Sequence, residues 1–194
     1  MSLDLSQCSD RELAAFARAG QQQAYRELLR RYKTPVFRLI QSNIGDPDEA
    51  MDLTQETFVA GFGAIGRYDA DRPFRLWIAR IALNKCRDWA RRRTVRSFFS
   101  RALPLDSAHD VASDGPAPDA EAADRAELDR VRAAMARLPS NLREVLVLRG
   151  VEDLTQAETA ELLQTSEKTV EMRLYRARAK LRALLGEPGT RASG

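Results

Sequence analysis

Apolar positions along the chain recur at intervals of three and four, and no stretch alternates apolar and polar for long enough to suggest a strand. The pattern therefore predicts an all-α protein. From Glu12 onward Leu13, Phe16, Ala17, Ala24, Leu28, Leu29, Val36, Leu39 and Ile40 form the first helical series, broken by Gly20 and Pro35. Ile44-Gly45-Asp46-Pro47 punctuates it, and Asp46 or Asp48 is placed to cap a helix running to about Ile65. Asp69 to Pro73 reads as a loop, and Phe74 to about Arg93 as another helix.

Further on, Leu128, Val131, Met135 and Leu138 make a stripe that stops at Pro139. Leu142, Val145, Leu146 and Leu148 make a second, ending near Gly150. Thr155-Gln156-Ala157-Glu158 has capping-box spacing, so a short helix carrying Ala157, Ala160, Leu162 and Leu163 starts there. It gives way at Gln164-Thr165-Ser166, and Ser166 caps a longer helix from Glu167 to about Leu185, stopped by Gly186 and Pro188. Short helix, tight turn and long basic helix is the order of a helix-turn-helix.

Charge divides the chain. The 194 residues carry 31 Lys and Arg against 28 Asp and Glu, a net charge of only +3, but the signs are segregated. Arg91, Arg92, Arg93, Arg96 and Arg101 come with no intervening acid. Asp106, Asp110, Asp114, Asp119, Glu121, Asp124, Glu127 and Asp129 follow around Gly115, Pro116 and Pro118. So few large apolar residues cannot offset the entropy of ordering this stretch. The sequence thus predicts two small helical domains, 1–93 and 128–194, joined by a flexible acidic linker over 94–127.

Composition also excludes chemistry. His109 is the only histidine, and Cys8 and Cys86 lie far apart with no CxxC pair, which removes the usual zinc site and histidine-assisted nucleophilic catalysis. No catalytic residue, metal or cofactor is expected. There is no apolar run of ~20 residues, and Met1-Ser2-Leu3-Asp4 lacks the order of a signal peptide, so the chain is expected to be cytoplasmic and not membrane-inserted.

Three helix faces carry candidate function. Asp52, Gln55, Glu56 and Val59 fall at i, i+3, i+4 and i+7 and share one face, either solvated surface or a dock for a basic protein. Arg80, Asn84, Arg87 and Arg91 form a polar ladder on the helix that also holds Trp77 and Trp89. Such a face suits single-stranded nucleic acid, although the tryptophans read more simply as core. On the last helix Val170, Leu174, Ala177, Leu181 and Leu184 point inward. Lys168, Thr169, Glu171, Met172, Arg173, Tyr175 and Arg176 are left near its start, where a major groove can be read.

Four ordered motifs carry a family resemblance: Asp48-Glu49-Ala50-Met51-Asp52-Leu53-Thr54-Gln55-Glu56-Thr57-Phe58; Trp77-Ile78-Ala79-Arg80-Ile81-Ala82-Leu83-Asn84; Leu138-Pro139 with Leu142-Arg143-Glu144-Val145; and Thr169-Val170 through Arg173-Leu174-Tyr175-Arg176-Ala177-Arg178. In these the sequence resembles the extracytoplasmic-function (ECF) sigma factors of the bacterial sigma-70 family. The resemblance implies a subunit that joins core RNA polymerase, directs it to promoters and helps open the DNA. It assigns Asp52, Gln55, Glu56 and Val59 to polymerase binding. Arg80, Asn84, Arg87, Arg91 and the Asp69 to Phe74 loop fall to the melted minus-ten strand, and the seven residues near the start of the last helix to the minus-thirty-five duplex. It also implies a cognate anti-sigma factor. Many relatives have a basic and a small hydroxyl residue where this chain has Glu171 and Met172, which shifts the expected base preference. The alternative from the residues themselves is an autonomous helix-turn-helix regulator whose first domain senses a ligand or dimerises.

Overall fold

The computed structural model describes residues 4–102 and 119–186. After a 3-10 turn at Leu5–Gln7 come α1 (Asp10–Arg18), α2 (Gln22–Ile44), α3 (Pro47–Gly63), a second 3-10 turn (Ile65–Arg67) and α4 (Phe74–Ala102). The second part holds α5 (Asp119–Ala136), α6 (Ser140–Gly150), α7 (Gln156–Leu163) and α8 (Glu167–Leu185).

Local chemistry sets most boundaries. Ser9 and Glu12 close a capping box on α1, and Asp46 accepts from the amides of Asp48 and Glu49 at the start of α3, just before Pro47. Gly45 ends α2 in the left-handed region at φ 81°. Pro35 was expected to break the first series, but α2 runs through it. Buried Ala24 and Leu28 on one side, and Val36, Leu39 and Ile40 on the other, fix both halves in one core, and this burial outweighs the hydrogen bond that proline cannot donate.

The expected linker is shorter at both ends, because α4 continues to Ala102 and α5 already begins at Asp119. The remainder of it, with His109, lies outside the described residues. Leu128, expected on an apolar stripe, is exposed.

The larger difference concerns how the two modules sit. Periodicity suggests separate bodies, yet Val147, Leu148, Leu154 and Leu162 of the second join the core built by α1 to α4. A smaller core, Val145, Ala160 and Val170 with Leu163 and Leu174 against it, holds the second module to itself. The cause lies in α6. Its run Val145-Leu146-Val147-Leu148 is apolar on more than one side, so Val145 packs toward α8 while Val147 and Leu148 turn toward the first module.

Candidate polymerase and nucleic-acid surfaces

On α3 the inward face is Leu53, Thr54, Thr57 and Phe58, all buried. The hydroxyls of Thr54 and Thr57 donate to the carbonyls of Ala50 and Leu53 at 2.7 and 2.6 Å, so neither is left unsatisfied. Gly61 lets α4 come close: a Cβ there would stand 2.8 Å from the Ile78 Cδ1. The opposite face carries Asp52, Gln55, Glu56 and Val59, all exposed, Val59 at 74%. Lys85 of α4 donates to the Glu56 carboxylate at 2.9 Å, which anchors one of these acids.

Helix α4 buries Phe74, Leu76, Ile78, Ala82, Leu83, Cys86 and Trp89. Trp89 donates through Nε1 to Glu49 at 3.0 Å and carries the Arg93 guanidinium over its ring. Trp77 is half-buried against Tyr68 and Phe74, each with ring centroids 5.3 Å away. Both tryptophans thus serve packing. Burial, with Glu144 adding to it, pushes the Cys86 thiol up to about 12, so it stays protonated at neutral pH.

The ladder on α4 is engaged. Arg87 donates from Nε and Nη2 to the two oxygens of Glu144 on α6, both at 2.8 Å, and from Nη1 to the Asn84 Oδ1 at 3.3 Å. Glu144 is buried, and its hydrogen bonds raise the Arg87 pKa further. Arg80 donates to the backbone carbonyl of Glu161 on α7 at 3.1 Å. Asn84 and Arg91 are exposed, Arg91 paired with Asp88. At the foot of the helix Arg72 donates to the Glu161 carboxylate at 2.7 Å, and Arg75 pairs with Glu158. Tyr68, Asp69, Arg72, Trp77 and Arg80 line a cleft of about 330 Å³ whose far wall is Glu161 and Leu162.

Arg143 is a further tie. It donates to the Asn43 carbonyl at the end of α2, and to the carbonyls of Ala136 and Leu138 at 2.7 and 2.8 Å. Burial lowers its pKa. Sequence reasoning reached Arg72 only as part of the Asp69 to Phe74 loop and assigned no role to Arg75, Arg143, Glu144, Glu158 or Glu161. The available signal was the pair of acids three apart on α7, whose other residues are uncharged, and it names no partner.

The helix-turn-helix is built locally. Thr155 and Glu158 complete a capping box, and Ser166 accepts from the Thr169 amide at 3.2 Å. Gln164 makes the turn at φ 52° and ψ 50°, a left-handed conformation usually left to glycine or asparagine. Along α8 Val170 and Ala177 are buried. Lys168, Glu171, Met172, Tyr175 and Arg176 are exposed, with Thr169 and Arg173 half-buried, the Thr169 hydroxyl 2.8 Å from that of Ser166. Among the described residues no helix is long and apolar enough to cross a membrane.

Known proteins place this architecture. The Sigma-70 region 2 family profile matches residues 28–96 and the Sigma-70, region 4 profile matches 128–181. The RNA polymerase sigma factor CnrH of Cupriavidus metallidurans is 43% identical over 181 residues, spanning 91% of this chain and 94% of CnrH. The ECF RNA polymerase sigma factor SigW of Bacillus subtilis is 27% identical, spanning 86% and 91% of the two chains. Among solved structures, CnrH in complex with the cytosolic domain of CnrY superposes with a TM-score of 0.67 at 36% identity, over 91% of this chain and 97% of that one. Because these relatives span both modules, they favour a promoter-specificity subunit over an autonomous regulator. The chain belongs to the sigma-70 family and is an RNA polymerase sigma factor of its ECF group.

Proposed function

We propose that this sigma factor divides its work among the three helix faces. It binds core polymerase through Asp52, Gln55, Glu56 and Val59, and holds the melted minus-ten strand on Arg80, Asn84, Arg87 and Arg91. It reads the minus-thirty-five duplex with Lys168, Thr169, Glu171, Met172, Arg173, Tyr175 and Arg176. It is a non-catalytic factor of the cytoplasm, and the domains meet their targets as 1–93 and 128–194. The observation that carries this reading is the segregation of charge: exposed carboxylates on α3, cations on α4 and α8.

Opening DNA costs a few kcal/mol for each base unstacked, a cost that trapping an extruded base offsets without a nucleotide-driven motor. The cleft bounded by Tyr68, Trp77, Arg72 and Arg80 offers aromatic edges and cations for that purpose. The complex of CnrH with the cytosolic domain of CnrY supports a cognate anti-sigma factor for this chain as well.

Runoff transcription with purified core polymerase over a promoter library tests the reading; wild type is expected to confer promoter-dependent initiation. Asp52→Lys with Glu56→Lys is expected to weaken polymerase association at least ~10-fold, since reversed charges facing a basic partner cost several kcal/mol. Binding of the chain to duplex DNA should persist. Retained polymerase affinity would move the dock elsewhere.

A further inference from the structure

In the described chain the surface assigned to the melted strand is already occupied, by the second module. Four contacts cover it. The Glu144 carboxylate sits bidentate on Arg87, the Glu161 carboxylate on Arg72, the Glu158 carboxylate on Arg75, and the Glu161 carbonyl on Arg80. Helix α7 also walls the aromatic cleft with Glu161 and Leu162. A carboxylate on a guanidinium makes the same charge-assisted, forked contact that a phosphate makes.

We propose that α6 and α7 form a built-in plug whose carboxylates stand where strand phosphates would bind, and that Arg75, assigned to no role above, and Arg72 of the Asp69 to Phe74 loop are phosphate-binding residues of the opened strand. This rests on the sigma-factor reading of α4. The free chain thereby competes with single-stranded DNA for its own arginines, and release of the second module is what exposes them. The plug is peelable by design of its parts: apart from buried Glu144, its ion pairs are solvent-accessible, with Arg72 and Glu161 side chains 57% and 47% exposed. Such pairs hold geometry while contributing little net stability, so a polyanion or the polymerase can displace them.

The test uses the full chain and a fluorescent random-sequence single-stranded 12-mer. Glu144→Gln, Glu158→Gln, Glu161→Gln keeps hydrogen-bonding shape, and glutamine still serves the α7 capping box. This variant is expected to bind the oligonucleotide about 10-fold more tightly and to show a larger radius of gyration in X-ray scattering, the gain expected when an intramolecular competitor is removed. A charge-matched control, Asp124→Asn, Glu127→Gln, Asp129→Asn on exposed α5, should stay within about twofold of wild type, since net charge alone acts weakly at a distance. Arg72→Gln separates plug from mere bridge. It breaks the same ion pair as Glu161→Gln but should lower affinity rather than raise it. An unchanged affinity in the triple variant, an equal gain in the control, or tighter binding by Arg72→Gln would each overturn the proposal. Wild-type initiation with core polymerase, read in parallel, tests the sigma-factor reading separately.

Discussion

The two surfaces proposed to meet nucleic acid stand in opposite states. On α8 most of the side chains proposed to read the duplex face solvent, with Tyr175 at 72% and Met172 at 47% exposure, and the helix spends only Val170, Ala177 and their neighbours on its own core. On α4 the ladder is bonded to the other module through Arg80 and Arg87. A duplex-reading helix needs only to be presented, because the major groove displays its code without being opened. A strand-holding surface has no ligand until the duplex has melted, and an uncovered row of arginines would meanwhile bind any polyanion. On the proposed division of labour the closed packing meets both demands, leaving α8 available for the duplex and covering α4 until a strand has been opened.

That contrast depends on the modules sharing a core, and the largest expected effect breaks it there. Leu148 belongs to α6 but is fully buried in the cluster shared with α1 to α4. Leu148→Ala should cost about 3 kcal/mol in urea unfolding. Both tryptophans of the chain lie in the first module, so the tryptophan-fluorescence transition itself should shift to lower urea. If it stayed in place, the second module would contribute nothing to the stability of the first, and the coverage of α4 would lose its packing basis.

A smaller effect sharpens the open side of the comparison. Arg176→Ala should weaken binding to a minus-thirty-five duplex by about 1–2 kcal/mol, roughly 10-fold, as expected for one lost arginine contact. The loss should be the same in wild type and in the carboxamide triple variant, because Arg176 is exposed and outside the seam. A loss seen only in the triple variant would mean that α8 too is masked in the closed chain.

What the sequence discloses follows the range of the interaction. Caps act over three residues, so Thr155 with Glu158 and Ser166 could be read directly, and the α3 cap was narrowed to Asp46 or Asp48, of which Asp46 takes it. The inward stripe of α8 was equally plain, as was the outward face of α3. Pro35 misled because propensity is local while the burial that overrides it is not. The seam was illegible for the same reason. Arg87 and Glu144 lie 57 positions apart and Arg72 and Glu161 89 apart, and nothing in either segment names the other. Only the double-sided apolar run of α6 hinted that it needed a second neighbour.

The turn feeding α8 gives the smallest effect and isolates the open surface from the closed one. Gln164 holds φ 52°, where a side chain bearing Cβ pays about 1–2 kcal/mol relative to its preferred conformations. Glycine removes that strain but loses more entropy on folding, so the two changes offset in part and Gln164→Gly should gain about 0.5 kcal/mol. Its backbone amide donates within the last turn of α7, to Ala160 and Glu161, and that bond survives the substitution. Ser166 still caps α8 through the Thr169 amide, so the reading face keeps its angle and duplex affinity should be unchanged within twofold. A rise in stability coupled to weaker duplex binding would show instead that the strained glutamine fixes the presentation of α8, making the turn part of the recognition surface rather than merely its support.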